Sequence, residues 1–179
     1  MIAERVDWLS DMLGAEVHGV MRKSIITPNP VAVSPLGEHW RELERIARVE
    51  ISSEAVDFPI EHALGKTPTT GWRAAEKGPQ VIRLLIDEPI AVHRIQLHFV
   101  DRAAERSQEF VLLAGSAKEL HEVVRQQWNF SPHGTTEELE DYAVDLTGVT
   151  VVELRIDPDR SHDPKQSQHY ASLQSLKLA

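Results

Sequence analysis

The 179-residue chain contains no cysteine, which excludes disulfides, thiolate catalysis and cysteine zinc sites together. Nowhere does it carry the roughly 18 consecutive apolar residues that a membrane-crossing helix needs, and its mean hydropathy of −0.30 fits a soluble globular chain. Aromatic residues are scarce, at 6%, so flat stacking surfaces are few. Basic residues are outnumbered, with 19 Lys and Arg against 28 Asp and Glu, a formal charge of −9. Phosphate backbones are held mainly by Lys and Arg, so nucleic acid is not an expected partner. The opening MIAERVDWLSDM carries acids early and lacks a basic start followed by an apolar core, so no secretory leader is expected and the cytoplasm is the expected location.

Motifs of common catalytic centres are missing too. No glycine-rich phosphate loop, no His-Glu-x-x-His and no dinucleotide fingerprint is found. Ala114-Gly115-Ser116-Ala117 comes nearest to a nucleophile elbow, but it lacks the closing glycine and follows a strand with no helix after it. The chain is therefore not expected to be an enzyme, and no cofactor is implied.

What is present is strand periodicity. Between Val81 and Ile86 five of six residues are apolar, and Asp87, Glu88 and Pro89 then interrupt the run with turn chemistry. From Val92 the pattern alternates strictly, with Ile95, Leu97 and Phe99 on one face and Arg94, Gln96 and His98 on the other, as a strand with one wet face requires. His93 and His98 are read as part of that wet face. Further strands are expected at Val49 to Ser53, Phe110 to Ala114, Tyr142 to Leu146 and Val149 to Ile156. A charged loop from Asp101 to Ser107 and a turn at Ser131-Pro132-His133-Gly134 separate some of them. Eight or so short strands with polar turns and no crossover helices predict an antiparallel β-sandwich of the all-β class.

Upstream, Ile2, Val6, Leu9 and Leu13 are spaced for one side of a helix that Gly14 would end. Thr27-Pro28-Asn29-Pro30 and Ser34-Pro35-Leu36-Gly37 then force an extended connector. Trp40, Leu43 and Ile46 recur at helical spacing within Glu38 to Ala47. The expected division is a helical N-terminal extension with its connector over 1–47 and a sandwich domain over 48–179. Packing on the sandwich and docking a partner are both open roles for the extension.

Thr69-x-x-Trp72, a short gap, the apolar strand ending in Asp87, a short turn and the alternating strand together resemble the discoidin family, also called coagulation-factor type C domains, among the galactose-binding-like jelly rolls. Val49 to Ser53 with Phe58, Pro59 and His62-Ala63-Leu64 resembles that family's opening strand and loop, and Val152 to Ile156 with Tyr170 to Leu178 resembles its closing strands. The string Trp72-Arg73-Ala74-Ala75 is also similar to the N-terminal domain of the X-ray cross-complementing repair scaffold proteins, which share this fold.

The resemblance implies a jelly roll with Trp72 in its core and ligands held by loops at one end. Sugar binding calls for an aromatic platform flanked by planar polar groups, and the candidates are Arg73, Arg102, Arg106, Trp128, His133, Arg160 and His162. Many members hold a structural calcium through an Asp-Gly-Asp/Asn turn and an acid in the last strand. Here Leu64-Gly65-Lys66 and Ser175 stand at those positions, so no metal is expected. Asp157 to Asp163 does not fit an EF-hand loop and is read as solvated. A non-catalytic recognition module follows, most simply a carbohydrate binder, with a protein-interaction scaffold as the alternative. The oligomeric state stays open.

Overall fold

The computed structural model describes residues 39–66, 70–103, 105–161 and 169–179. The expected helix at Ile2 to Leu13 and the proline-rich connector lie outside these residues, as does His162.

Eight strands and two single-turn helices make up the described residues: α1 (Leu43–Ile46), β1 (Ala47–Ile51), α2 (Glu61–Leu64), β2 (Trp72–Lys77), β3 (Gln80–Val100), β4 (Arg106–Ser116), β5 (Glu119–Phe130), β6 (Glu137–Asp157), β7 (Tyr170–Leu173) and β8 (Ser175–Leu178). All the strand pairs are antiparallel, as the sequence predicts. The principal sheet runs β1-β3-β6-β4-β5 with β8 added on β3, and β2 pairs with β7 separately.

The two 21-residue strands set the architecture. The first half of β3 lies between β1 and the last half of β6 (Ile82 opposite both Ile51 and Leu154). Its second half lies between β8 and the first half of β6 (Leu97 opposite both Leu176 and Glu140). Between these halves the register shifts repeatedly, from Leu85 to Arg94. The acids and proline of Asp87-Glu88-Pro89 are exposed there. Sequence periodicity reads this segment as a turn between two strands. The structure instead keeps one strand and bends it, because the opposite stretch of β6, around Gly148 (φ +67°), bends with it and the ladder resumes beyond.

Folding over in this way brings the two halves face to face. Phe99, late in β3, stacks on Phe110 of β4, with ring centroids 5.1 Å apart and 28° between planes. Ile82, Leu84, Ile95, Leu97, Leu112, Leu154 and Ile156 fill the space around them, all essentially inaccessible. Alternation along β3 explains the set, since every second residue from Gln80 to Ile86 and again from Ile95 to Phe99 is buried. Trp72 is 1% exposed, in the core as the resemblance implies.

Residues 39–46 pack on the same body. Leu43 is buried, Arg41 donates its backbone N–H to Leu178 O at 2.8 Å and Nη2 to Ala91 O at 2.9 Å, and the Trp40 ring lies under the Arg94 guanidinium at 5.1 Å. Of the expected Glu38 to Ala47 helix, Glu38 lies outside the described residues, and among residues 39–47 only Leu43 to Ile46 are helical. The chain passes directly from that turn into β1, whose pairing with β3 begins at Ala47.

Gly71, just before Trp72, has φ +75°, and a Cβ there would meet Leu173 O at 2.6 Å. A Gly71→Ala variant is therefore expected to lower the melting temperature by strain and clash combined. Phe110→Ala, which empties the stacked pair, is expected to cost about 3–5 kcal/mol in urea unfolding.

Candidate functional site

At the end of the sandwich away from the bend, three loops converge: the one after β3, the one between β5 and β6, and the one after β6. Backbone bonds tie them together. Asp101 N–H donates to Thr136 O at 2.9 Å, Ser131 N–H to Thr135 O at 2.9 Å and Arg160 N–H to Ser107 O at 2.8 Å. Thr135 Oγ1 donates to Asn129 O at 2.8 Å.

Arg106 sits where the loops meet. Its side chain is 1% exposed. Nε donates to Asp101 Oδ2 at 2.6 Å, and Nη1 donates to Gln108 Oε1 at 2.8 Å and to Pro158 O at 2.7 Å. The guanidinium also lies over the Phe130 ring, 4.9 Å from its centroid. A buried charge needs a counter-charge and filled hydrogen-bond positions, and this arrangement supplies both while fixing two loops to β4.

Around this anchor opens a cleft of ≈ 630 Å³ lined by Glu105, Arg106, Ser107, Asn129, Phe130, Ser131, Thr135, Asp159 and Ser161. The Arg106 pull on the Pro158 carbonyl explains why the loop from Asp157 is not solvated throughout, contrary to its sequence reading. Pro158 is buried and Asp159 is 6% exposed. Asp159 N–H donates to Asp157 Oδ1 at 3.2 Å, and Asp159 Oδ1 accepts from Ser161 N–H at 3.0 Å. Its Oδ2 is buried with no hydrogen-bond partner among the described residues.

Of the described residues singled out in the sequence, Arg106 alone is among those lining this cleft, with its guanidinium engaged internally. Arg160 is exposed and pairs with Glu109, which also receives Arg125 Nη1 at 2.9 Å. Arg102 pairs with Glu137 at 2.8 Å, and His133 is exposed on the loop between β5 and β6. Arg73 lies on β2, over the Tyr170 ring at 5.0 Å. Trp128 is half-buried against the core, and its Nε1 is buried without a partner among the described residues. The cleft hydroxyls and amide of Ser107, Asn129, Ser131 and Thr135 carry no motif and had no sequence signal. Asp159 stood within the acidic run, but nothing local told it from its neighbours.

At the turn where the resembling family places calcium, Lys66 Nζ lies 3.6 Å from Glu42 Oε1, so the nearby acid is paired with the lysine. Ser116, the elbow serine, is paired with Glu119 in the β4–β5 hairpin at the opposite end of the sandwich.

A second polar cluster lies inside the sandwich, between β5 and the first half of β6. Gln126 Nε2 donates to Glu140 Oε1 at 2.5 Å and to Glu138 Oε1 at 3.3 Å, and Tyr142 Oη donates to Gln126 Oε1 at 2.9 Å. Glu138 is 2% exposed. Burial, reinforced by the Glu140 charge, pushes its carboxyl up to about 8, and burial with the Glu140 contact likewise raises the Tyr142 phenol.

No family model and no curated protein matches the sequence. Solved structures do match the fold. A module from Clostridium perfringens in complex with GalNAc-β-1,3-galactose is 14% identical, covering 78% of this chain and 99% of its own at a TM-score of 0.56. The family 32 carbohydrate-binding module of C. perfringens NanJ, in complex with galactose, is 12% identical, covering 78% and 96% at 0.55. A pectin-binding carbohydrate-binding module is 16% identical, covering 75% and 90% at 0.51. The chain thus has the galactose-binding-like, discoidin-type jelly-roll fold.

Glu138 sets a stability dependence on pH whose sign follows from its raised value. The folded state holds a proton that the unfolded state, near 4.5, releases. Stability from this group is complete below about pH 4.5, falls as pH rises towards about 8, and is level above that, the total change being on the order of a few kcal/mol. Glu138→Gln is expected to flatten that fall in denaturant unfolding measured from pH 5 to 9.

Proposed function

We propose that this chain is a non-catalytic carbohydrate-binding module that receives its ligand in the cleft beside Arg106. The observation that carries this reading is the cleft itself: a hollow of ≈ 630 Å³, within the range of small-molecule sites, at the loop end of a jelly roll. Structures sharing this fold hold galactose and a galactose-containing disaccharide. The lining suits sugar hydroxyls, because Ser107, Asn129, Ser131, Thr135 and Ser161 supply both donors and acceptors. With Phe130 covered by Arg106, recognition rests on hydrogen bonds more than on stacking, which favours a low-affinity, geometry-selective site.

The test is isothermal titration of the full chain with a panel of mono- and oligosaccharides, read beside melting temperature. At least one sugar class is expected to bind and to raise the melting temperature by mass action. Ser131→Trp, which fills the cleft from an exposed loop, is expected to abolish that binding while leaving the melting temperature without sugar unchanged. Silence across the panel, or binding that survives Ser131→Trp, would remove the cleft as a sugar site. Silence would also turn attention to the protein-scaffold alternative.

A further inference from the structure

A second hollow, of ≈ 430 Å³, opens between the segment before α1, the turn after α2 and β8, and shares no residue with the cleft beside Arg106. Buried Leu64 and Leu176 give it an apolar wall. Three cations line it, Arg41, Lys66 and Lys177, against one acid, Glu42. That acid is already paired, 3.0 Å from Arg45 Nε and 3.6 Å from Lys66 Nζ. Arg41 gives Nη2 to Ala91 O at 2.9 Å. The Lys177 ammonium lies 5.7 Å from the centroid of the Trp40 ring, which Arg94 also overlies at 5.1 Å. Neither Arg41 nor Lys177 has a carboxylate partner among the described residues.

Acids outnumber bases by 28 to 19 in this chain, so cations that converge on one hollow with no free acid to answer them run against its overall balance. We propose that this hollow binds a phosphate group, free or as the ester of a small molecule, through Arg41, Lys177 and Lys66. An arginine fork beside a lysine point charge is a donor set suited to phosphate, and the Trp40 ring holds the Lys177 ammonium at the hollow by cation–π attraction. Lys66 Nζ lies beyond hydrogen-bond distance of Glu42 on a side chain that is 82% exposed, so it turns inward at little cost while Arg45 keeps Glu42. A phosphate monoester carries a charge of about −1.5 to −2 at neutral pH, which meets the two unpaired cations and uses the third. A carboxylate brings one charge and two oxygens, fewer than three cationic groups can engage. Long polyanions fit poorly, because beyond the hollow they meet the field of a chain with a net charge of −9. The volume exceeds what a bare ion needs and falls within the range of small-molecule sites, leaving room for the organic part of an ester against Leu64 and Leu176.

Calorimetric titrations of the full chain at about pH 7.5, where the phosphate is mostly dianionic, with glycerol 3-phosphate, inorganic phosphate and lactate test this assignment. Glycerol 3-phosphate is expected to bind at least about tenfold more tightly than lactate, and to weaken as sodium chloride is raised to about 0.5 M. Tighter binding of the ester than of inorganic phosphate assigns the hollow to an ester, and equal affinity assigns it to the free ion. Arg41→Gln is expected to weaken phosphate binding at least about tenfold, while keeping the backbone N–H bond to Leu178 O that ties this segment to β8. Lys177→Gln, at a half-buried position, is expected to weaken it by a smaller factor and keeps the test decisive if Arg41→Gln unfolds. Failure of both phosphates to bind, lactate binding as tightly as they do, or unchanged phosphate affinity in the folded variants would overturn the inference. The carbohydrate reading of the other cleft stands or falls separately, on its own sugar panel.

Discussion

The pairing of β3 with β6 is the contact on which the remaining structure depends, because these two strands belong to both faces of the sandwich. Their ladder begins at Gln80 opposite Ile156, breaks register near Ile90 and Val149, and resumes to Val100 opposite Glu137. In a conventional sandwich the two layers are joined by loops and held by side-chain packing. Here a continuous, bent ladder joins them, so their separation at the bend is fixed by backbone hydrogen bonds, and Phe99 reaches Phe110 only because the bend occurs where it does. Exposed acids and a proline at the crest relieve the outside of the curve, where ladder partners are lost anyway.

Bending at one end leaves the other end to loops, and loops need another kind of fastening. Arg106 provides it by bonding Asp101 and the Pro158 carbonyl, residues that precede and follow it by 5 and 52 positions. A guanidinium suits this task because its planar fork reaches several acceptors at fixed angles. The consequence for function is indirect. The arginine shapes the cleft and positions Asp159 by drawing its neighbour inward, while the groups left to meet a ligand are hydroxyls, an amide and carboxylates.

The buried acids have distinct settings. Glu153 is 1% exposed but bonded by Arg83 and Arg155 at 2.6 and 2.7 Å, whereas Glu138 has only Gln126 and another acid beside it. The first is held as an ion pair, and the second is held by keeping its proton. Glu138 and the Gln126 amide lie between β5 and β6, strands that no ladder joins among the described residues.

Strand positions, the antiparallel sandwich class and the inward face of β3 were legible in the sequence because they depend on a period of two, which is a local property of consecutive residues. Burial of Trp72 was legible through the resemblance. The same locality misled at Asp87 to Pro89, where turn residues mark a bend in a strand whose continuity depends on a partner some sixty residues away. It also left the site obscure. Arg106 reads as one of several loop arginines and Asp159 as one acid in a polar run, since their surroundings come from β4, β5 and the segment after β6 meeting in space. Alternating hydrophobicity determined which residues turn inward, but only strand pairing decided which polar groups would meet there, because hydrogen bonds and charge balance depend on neighbours that sequence distance does not reveal.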